Sequence, residues 1–148
     1  MNSQPAPEAE APVYALSLKQ PWAALLAAGV KTIEVRTWPT NRRGFVLIHA
    51  SKRPDERPEA WEHITTPELA SLADLRGGVV GAGMLTGCLR YPTLASFTAD
   101  ERRHLNAPSW YVEAGLFGLT FENLRVVPFL PYIGNTFFFR VEGFPAHD

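Results

Sequence analysis

The chain has a single cysteine in 148 residues, so no internal disulfide can form. Cys88 sits in a Gly-rich apolar run and reads as a small hydrophobe, which fits a reducing, cytoplasmic compartment. Long apolar runs are also missing. Nowhere do about 18 consecutive apolar residues occur, so no spanning helix and no membrane partner is expected. The opening MNSQPAPEAEAP has neither the basic start nor the apolar stretch of a signal peptide. Charge of one sign is absent too: 14 Lys and Arg stand against 15 Asp and Glu, leaving a net charge of −1. No global field draws phosphate, so any nucleic-acid role must rest on a local basic patch. Familiar catalytic signatures (Gly-x-Ser-x-Gly, Gly-x-x-x-x-Gly-Lys-Ser/Thr and His-Glu-x-x-His) do not occur. The histidines at 49, 63, 104 and 147 lack metal-ligand spacing, so neither a metal site nor a cofactor is expected.

What is present is the composition of a folded domain, 46% hydrophobic and 20% charged, on a chain long enough to enclose one core. Residues 1–12, rich in Pro, Ala and Glu without an apolar period, predict a mobile tail. Residues 13–148 then form one domain, taken to be a monomer. Val13 to Leu18 reads as a strand. Pro21 opens a helix with Trp22, Leu25 and Leu26 on one face, and Gly29 ends it at C′. Thr32 to Trp38 alternates as a half-buried strand closed by Pro39, and FVLIHAS is a strand with both faces covered. The stretch from Pro54 to Leu75 predicts helix. GVVGAGMLTGCLRY predicts a long strand bent at its glycines, and a short helix follows near Thr98 to His104. Leu116 to Phe121, Val126 to Phe129 and Thr136 to Val141 complete the strands, with Gly134-Asn135 as a turn between the last two. Short bent strands and few helices favour an α+β mixed barrel over a doubly wound parallel sheet.

Chemistry concentrates between Gly29 and Trp38. On a regular strand Thr32, Glu34, Arg36 and Trp38 share a side, so carboxylate, guanidinium and indole are neighbours, and Lys31 can turn toward the same cleft. Lys and Arg suit phosphate, Trp a base face, and Glu a base edge or ribose hydroxyl. An ion pair on a solvated strand gives the same pattern. A second cluster is Lys19, Gln20 and Trp22 where strand passes into helix, a place where free amides and side chains can hold an anion. Trp22 fits a core anchor equally well. A third is Asn41, Arg42 and Arg43, then His49, Ser51, Lys52 and Arg53, the one basic stretch, readable as a phosphate-tracking rim or as solvated loop charge. Lys31, Thr32, His49 and Ser51 are the candidates for a metal-free acid/base set.

ALSLKQPWAALLAAGVKTIEVRTW followed by RRGFVLIHASKR resembles the ASCH domain, the activating signal cointegrator homology family. Gly29, Lys31, Glu34 and Arg36 meet every position of its Gly-x-Lys-x-x-Glu-x-Arg pattern. Ser17 and Gln20-Pro21-Trp22 match before it, and Ile48-His49-Ala50-Ser51 after it. The likeness continues more weakly in GGVVGAGMLTGC and YIGNTFFFRVEG. Phe117-Gly118-Leu119 departs from the Tyr-Gly-Trp of many relatives. The resemblance implies a PUA-like mixed β-barrel with a few short flanking helices and a cleft over the charged motif. It also implies a role in RNA binding or RNA-linked regulation; taken with the clusters above, the expectation is binding of single-stranded RNA or a modified nucleotide through Lys19, Gln20, Trp22, Lys31, Glu34, Arg36, Trp38, Arg42, Arg43, His49 and Ser51. Some relatives cut RNA, which gives a metal-independent ribonuclease with Lys31, His49 and Ser51 as the alternative. A compact branch hydrolyses N4-acetylcytidine with a threonine where this chain has Glu34, and a protein-interaction module is a further alternative.

Overall fold

The computed structural model describes residues 12–144, so the tail expected over 1–12 lies, but for Pro12, outside the described residues. Strand β1 (Val13–Leu18) runs parallel to β3 (Gly44–Ala50). The crossover between them carries helix α1 (Trp22–Ala27) and strand β2 (Ile33–Arg36). Two long strands, β4 (Gly78–Tyr91) and β5 (Leu116–Pro131), pair antiparallel along most of their length. Strand β6 (Phe138–Val141) returns antiparallel to β1, giving the order β2-β5-β4-β3-β1-β6.

Register shifts between Val79 and Gly81, Ala82 and Met84, and Leu85 and Gly87 bend β4 against β5, and such bulges increase local twist. The six strands therefore curl into a half-barrel, the α+β architecture expected from the sequence. Side chains span the gap between its edge strands. Trp38, just past β2, meets Phe137 and Phe138 at 4.9 and 5.8 Å between ring centroids, and Arg36 Nη2 donates to the Ser17 carbonyl on β1 at 2.8 Å.

All six residues of α1 are buried, and Gly81 of β4 lets the helix approach so closely that a methyl there would collide with Ala27. Gly29 follows α1 with φ +76°, the left-handed C′ position read from the sequence. On β3, Val46, Ile48 and Ala50 join the main core with α1, while Leu47 faces a second cluster with Val79, Val127 and Phe139. Both faces of the strand are covered, as read from the sequence. Cys88 packs partly buried against the main core.

Three features differ from the sequence expectation. Residues 54–75 hold two short helices, α2 (Pro58–Trp61) and α3 (Pro67–Ala73), because Thr66 caps a new start and Pro67 occupies its first turn. β5 runs unbroken through its polar middle: Asn123 takes φ +53°, which asparagine tolerates, and the β4 ladder resumes on either side. β5 and β6 do not pair, since the chain after Pro131 crosses to the opposite edge of the sheet. Between β4 and β5 lie α4 (Leu94–Ala99), started by a Thr93/Ser96 capping box, α5 (Glu101–His104) and a 3-10 turn, Pro108–Trp110.

Candidate functional site

A cleft of about 570 Å³ opens where β2, the α1 entry and the loops around residues 55 and 136 meet. β2 builds one wall. Its inward residue Ile33 is fully buried and fixes the strand, so Glu34 and Arg36 share the other side and face the cleft. Lys31 forms the floor with 1% exposure. Its Nζ lies 3.0 Å from Glu34 Oε1, donates to the His104 carbonyl at 3.2 Å and sits 4.4 Å from the centre of the Trp22 ring. Burial pushes the ammonium pKa below its ordinary value, and the Glu34 carboxylate opposes that shift. Arg36 Nε donates to Glu34 Oε2 at 3.0 Å, and its guanidinium lies 5.6 Å from the Trp38 ring centre. The Glu34 carboxylate thus joins the two cations at one spot.

The facing wall rests on Asp55. Its Oδ2 accepts from Trp22 Nε1 at 2.8 Å and from Arg57 Nη2 at 2.6 Å, and its Oδ1 accepts from the Arg57 amide at 2.9 Å. Burial alone raises a carboxyl pKa, but these donors outweigh it and hold Asp55 well below the usual carboxylate range. Arg57 in turn lies 3.5 Å from the centre of the Trp110 ring, which meets Trp22 edge-on at 5.8 Å. Four cations (Lys19, Lys31, Arg36 and Arg57) and two carboxylates (Glu34 and Asp55) line the cleft. The local balance is positive in a chain whose net charge is −1.

The sequence-based candidates divide in space. Lys19, Trp22, Lys31, Glu34, Arg36, Trp38 and Ser51 line the cleft, and Thr32 does not. Trp22 is a core anchor, 7% exposed, and its ring also forms part of the cleft wall. Gln20 is fully buried: its Oε1 accepts from the Ala24 amide, and its Nε2 donates to the carbonyls of Leu72 and Leu75. It fastens α1 to the end of α3 and is not part of the cleft wall. The α1 entry offers little to an anion, because the Trp22 and Ala24 amides are taken by Lys19 O and Gln20 Oε1.

The basic stretch does not form one rim. Arg42 and Arg43 precede β3, and Lys52 and Arg53 follow it, so seven strand residues, about 23 Å, separate the pairs. Arg42 lies over Tyr14 at 3.8 Å, and Arg43 Nη1 donates to the carbonyls of Thr40 and Arg42.

His49 lies beside a second, smaller cleft of about 430 Å³ that shares Ser17, Ser51, Asn135 and Thr136 with the first. Its Nε2 is 2.7 Å from the Tyr132 carbonyl, so this nitrogen carries the proton, and Nδ1 accepts from Ser17 Oγ at 2.9 Å. Ser51 Oγ donates to the Arg53 carbonyl. Asp55, Arg57 and Phe137 also line the cleft and were not among the candidates. Asp55 and Arg57 fall in the stretch read only as helix, and Phe137 in the strand read over Thr136 to Val141. An acid and a base two residues apart, just past a strand rich in functional residues, was the available signal for the first two.

His104, fully buried, is held like His49: Nε2 donates to the Phe97 carbonyl at 2.7 Å, and Nδ1 accepts from the Asn106 amide at 3.0 Å. Burial holds both imidazole pKa values below the ordinary 6.5, against the pull of their carbonyl partners. The unfolded chain then binds more protons than the folded one below that value, so stability is lost as pH falls through it. The melting temperature is expected to decline from about pH 7 to pH 5, and less steeply in His104→Asn. A flat wild-type profile over that range contradicts the neutral assignment.

Among the described residues no helix is long and apolar enough to cross a membrane, and no group of three or more His, Cys, Asp or Glu is placed to hold a metal. The model of the ASCH domain family matches residues 16–124. Over 77 residues, 51% of this chain, the sequence is 35% identical to Activating signal cointegrator 1 of Homo sapiens, and equally to that of Mus musculus. The matched stretch is 13% of the length of either, so the similarity concerns a small part of those proteins. The crystal structure of ASCH from Zymomonas mobilis superposes with a TM-score of 0.57 at 14% identity, covering 80% of this chain and 72% of that one. That likeness is one of fold, and the half-barrel has the PUA-like architecture that the resemblance implied. With the match running from β1 into β5 and spanning every residue of the Lys31, Glu34 and Arg36 cluster, the chain belongs to the ASCH domain family.

Proposed function

We propose that residues 13–148 act as one domain that binds single-stranded RNA or a nucleotide in the larger cleft. The observation that carries this reading is the convergence of Lys31, Glu34 and Arg36 on one concavity walled by Trp22 and Trp38. Each group keeps unused capacity there. Among the described residues two N–H bonds of the Lys31 ammonium are engaged, by Glu34 and His104 O, and the third has no hydrogen-bond partner where Lys31 lines the cleft. Arg36 uses Nε and one Nη2 hydrogen, which leaves the Nη1 edge for a phosphate oxygen. Lys19 and Arg57 add positive charge near the opening, and the indoles offer faces to a base. The lone Cys88 agrees with a reducing, cytoplasmic setting.

Binding without cleavage is the reading favoured here. His49 is 1% exposed with both ring nitrogens engaged, and Ser51 Oγ donates to a backbone carbonyl, so neither is poised to move a proton for a bound phosphodiester.

Fluorescence anisotropy with labelled single-stranded RNA at low salt tests the proposal. Arg36→Ala is expected to weaken binding about tenfold or more, the usual loss when a charge-assisted hydrogen bond to phosphate is removed. Absence of RNA or nucleotide binding by the wild-type protein at millimolar concentration would sink it.

A further inference from the structure

We infer that Phe137 is a stacking platform for a second base at the cleft mouth, so the site takes a single-stranded chain of at least two nucleotides and not merely a mononucleotide. The inference rests on the nucleotide-binding reading above and adds to it a residue and a ligand length. Phe137 is 58% exposed although it is apolar and large, so burial does not account for its position. Its backbone lies at φ +55°, a left-handed conformation that is uncommon for a bulky residue and persists only where its surroundings impose it. Such positions concentrate at ligand clamps and active sites.

The surroundings are specific. The ring of Phe137 meets Trp38 at 4.9 Å with an interplanar angle of 64°, and Phe138 packs against Trp38 from its own position at 5.8 Å. Tilted contacts of this kind fix a ring without covering it face to face, so aromatic surface stays open. Trp38 lies in turn 5.6 Å from the Arg36 guanidinium, which gives a row of cation, indole and phenyl from the depth of the cleft to its rim. A nucleotide chain repeats that alternation of phosphate and flat base. With a phosphate at Arg36, an adjacent base reaches the Phe137 ring, and stacking there tolerates any base because each has a π-face. The neighbouring cations favour this occupant over an apolar protein segment.

Titration of uridine monophosphate and of a short oligouridylate, against wild type and variants, separates the outcomes. Phe137→Gly is expected to weaken oligouridylate binding about tenfold or more while leaving uridine monophosphate within twofold. Its melting temperature should change little, because the ease with which glycine adopts φ +55° offsets the lost Trp38 contact. Phe137→Tyr should retain oligouridylate affinity, and Phe137→Leu, which keeps apolar bulk but no π-face, should lose it. Equal loss for both ligands, unchanged oligouridylate binding in the Gly and Leu variants, or a wild type that binds the two ligands equally overturns the stacking role and leaves the cleft as a mononucleotide site. If wild type binds neither ligand, the nucleotide reading itself fails and takes this inference with it.

Discussion

Replacing Glu34 by alanine is expected to lower folding stability by about 3–5 kcal/mol at neutral pH, the loss seen when one partner of a buried ion pair is removed. The cause is Lys31. Its side chain is 1% exposed, and its ammonium is held by one carboxylate oxygen and one backbone carbonyl. Without Glu34 the positive charge stays in a medium that solvates it poorly, with the His104 carbonyl and the Trp22 ring face in partial compensation. Arg36, 20% exposed, loses less because water reaches it.

Two measurements distinguish this mechanism from a simple cavity effect. Lys31→Met introduced together with Glu34→Ala should recover most of the loss, since no charge is then left unpaired, and the coupling appears in a double-mutant cycle. The second measurement is the pH profile. Burial already lowers the Lys31 pKa, so between that value and 10.5 the unfolded chain holds more protons and stability rises with pH. Removing Glu34 depresses the folded-state pKa further and widens that window. The variant should therefore regain ground on wild type as pH rises through the alkaline range. Urea denaturation at about pH 7 and about pH 9 checks both points. A single variant within about 1 kcal/mol of wild type at neutral pH, or a double variant with no recovery, contradicts an uncompensated ammonium as the cause.

The parts of this molecule legible in its sequence are those specified over a few residues. Alternation placed Glu34 and Arg36 on one side of a strand, and both line the cleft. A glycine after an apolar helix marked the left-handed C′ position at Gly29. β4 was readable from end to end because glycines at its bends fell within a continuous apolar run. What escaped depends on partners far along the chain. Gln20 looked like a ligand contact, yet its acceptors are the carbonyls of Leu72 and Leu75, more than 50 residues away. The basic residues near β3 looked contiguous, but an extended strand carries its ends apart. Phe137 owes its place to a left-handed backbone that an aromatic residue does not advertise. Asp55 belongs to the same class, since its partner Trp22 lies 33 residues before it.

Asp55→Ala is expected to cost about 2–4 kcal/mol, as for other buried donors left without a charged acceptor. Most of that loss falls on Trp22, whose buried Nε1–H would face no acceptor, and on the Arg57 amide bonded to Oδ1. The Arg57 guanidinium, 49% exposed, can turn to water at little cost. Two bonds of the Asp55 backbone persist in the variant, from its amide to Gln20 O and from Trp61 Nε1 to its carbonyl, so the loop should keep its course. Asp55→Asn, which retains an oxygen for Trp22, should lose less than alanine. The gap between wild type and variant depends on pH in the opposite sense to the gap that the Lys31 ammonium sets for Glu34→Ala. Asp55 is held well below its ordinary value of 3.8, so its contribution is complete above that pH and disappears as pH falls below it. The gap between wild type and Asp55→Ala should therefore close in acid, as the unfolded chain takes up the proton that the folded one refuses. Nucleotide affinity should fall with stability at neutral pH, because Trp22 both covers the Lys31 ammonium and walls the cleft. An Asp55→Ala protein as stable as wild type at neutral pH, or a gap that persists undiminished in acid, would remove the carboxylate from its place as the clamp of that wall.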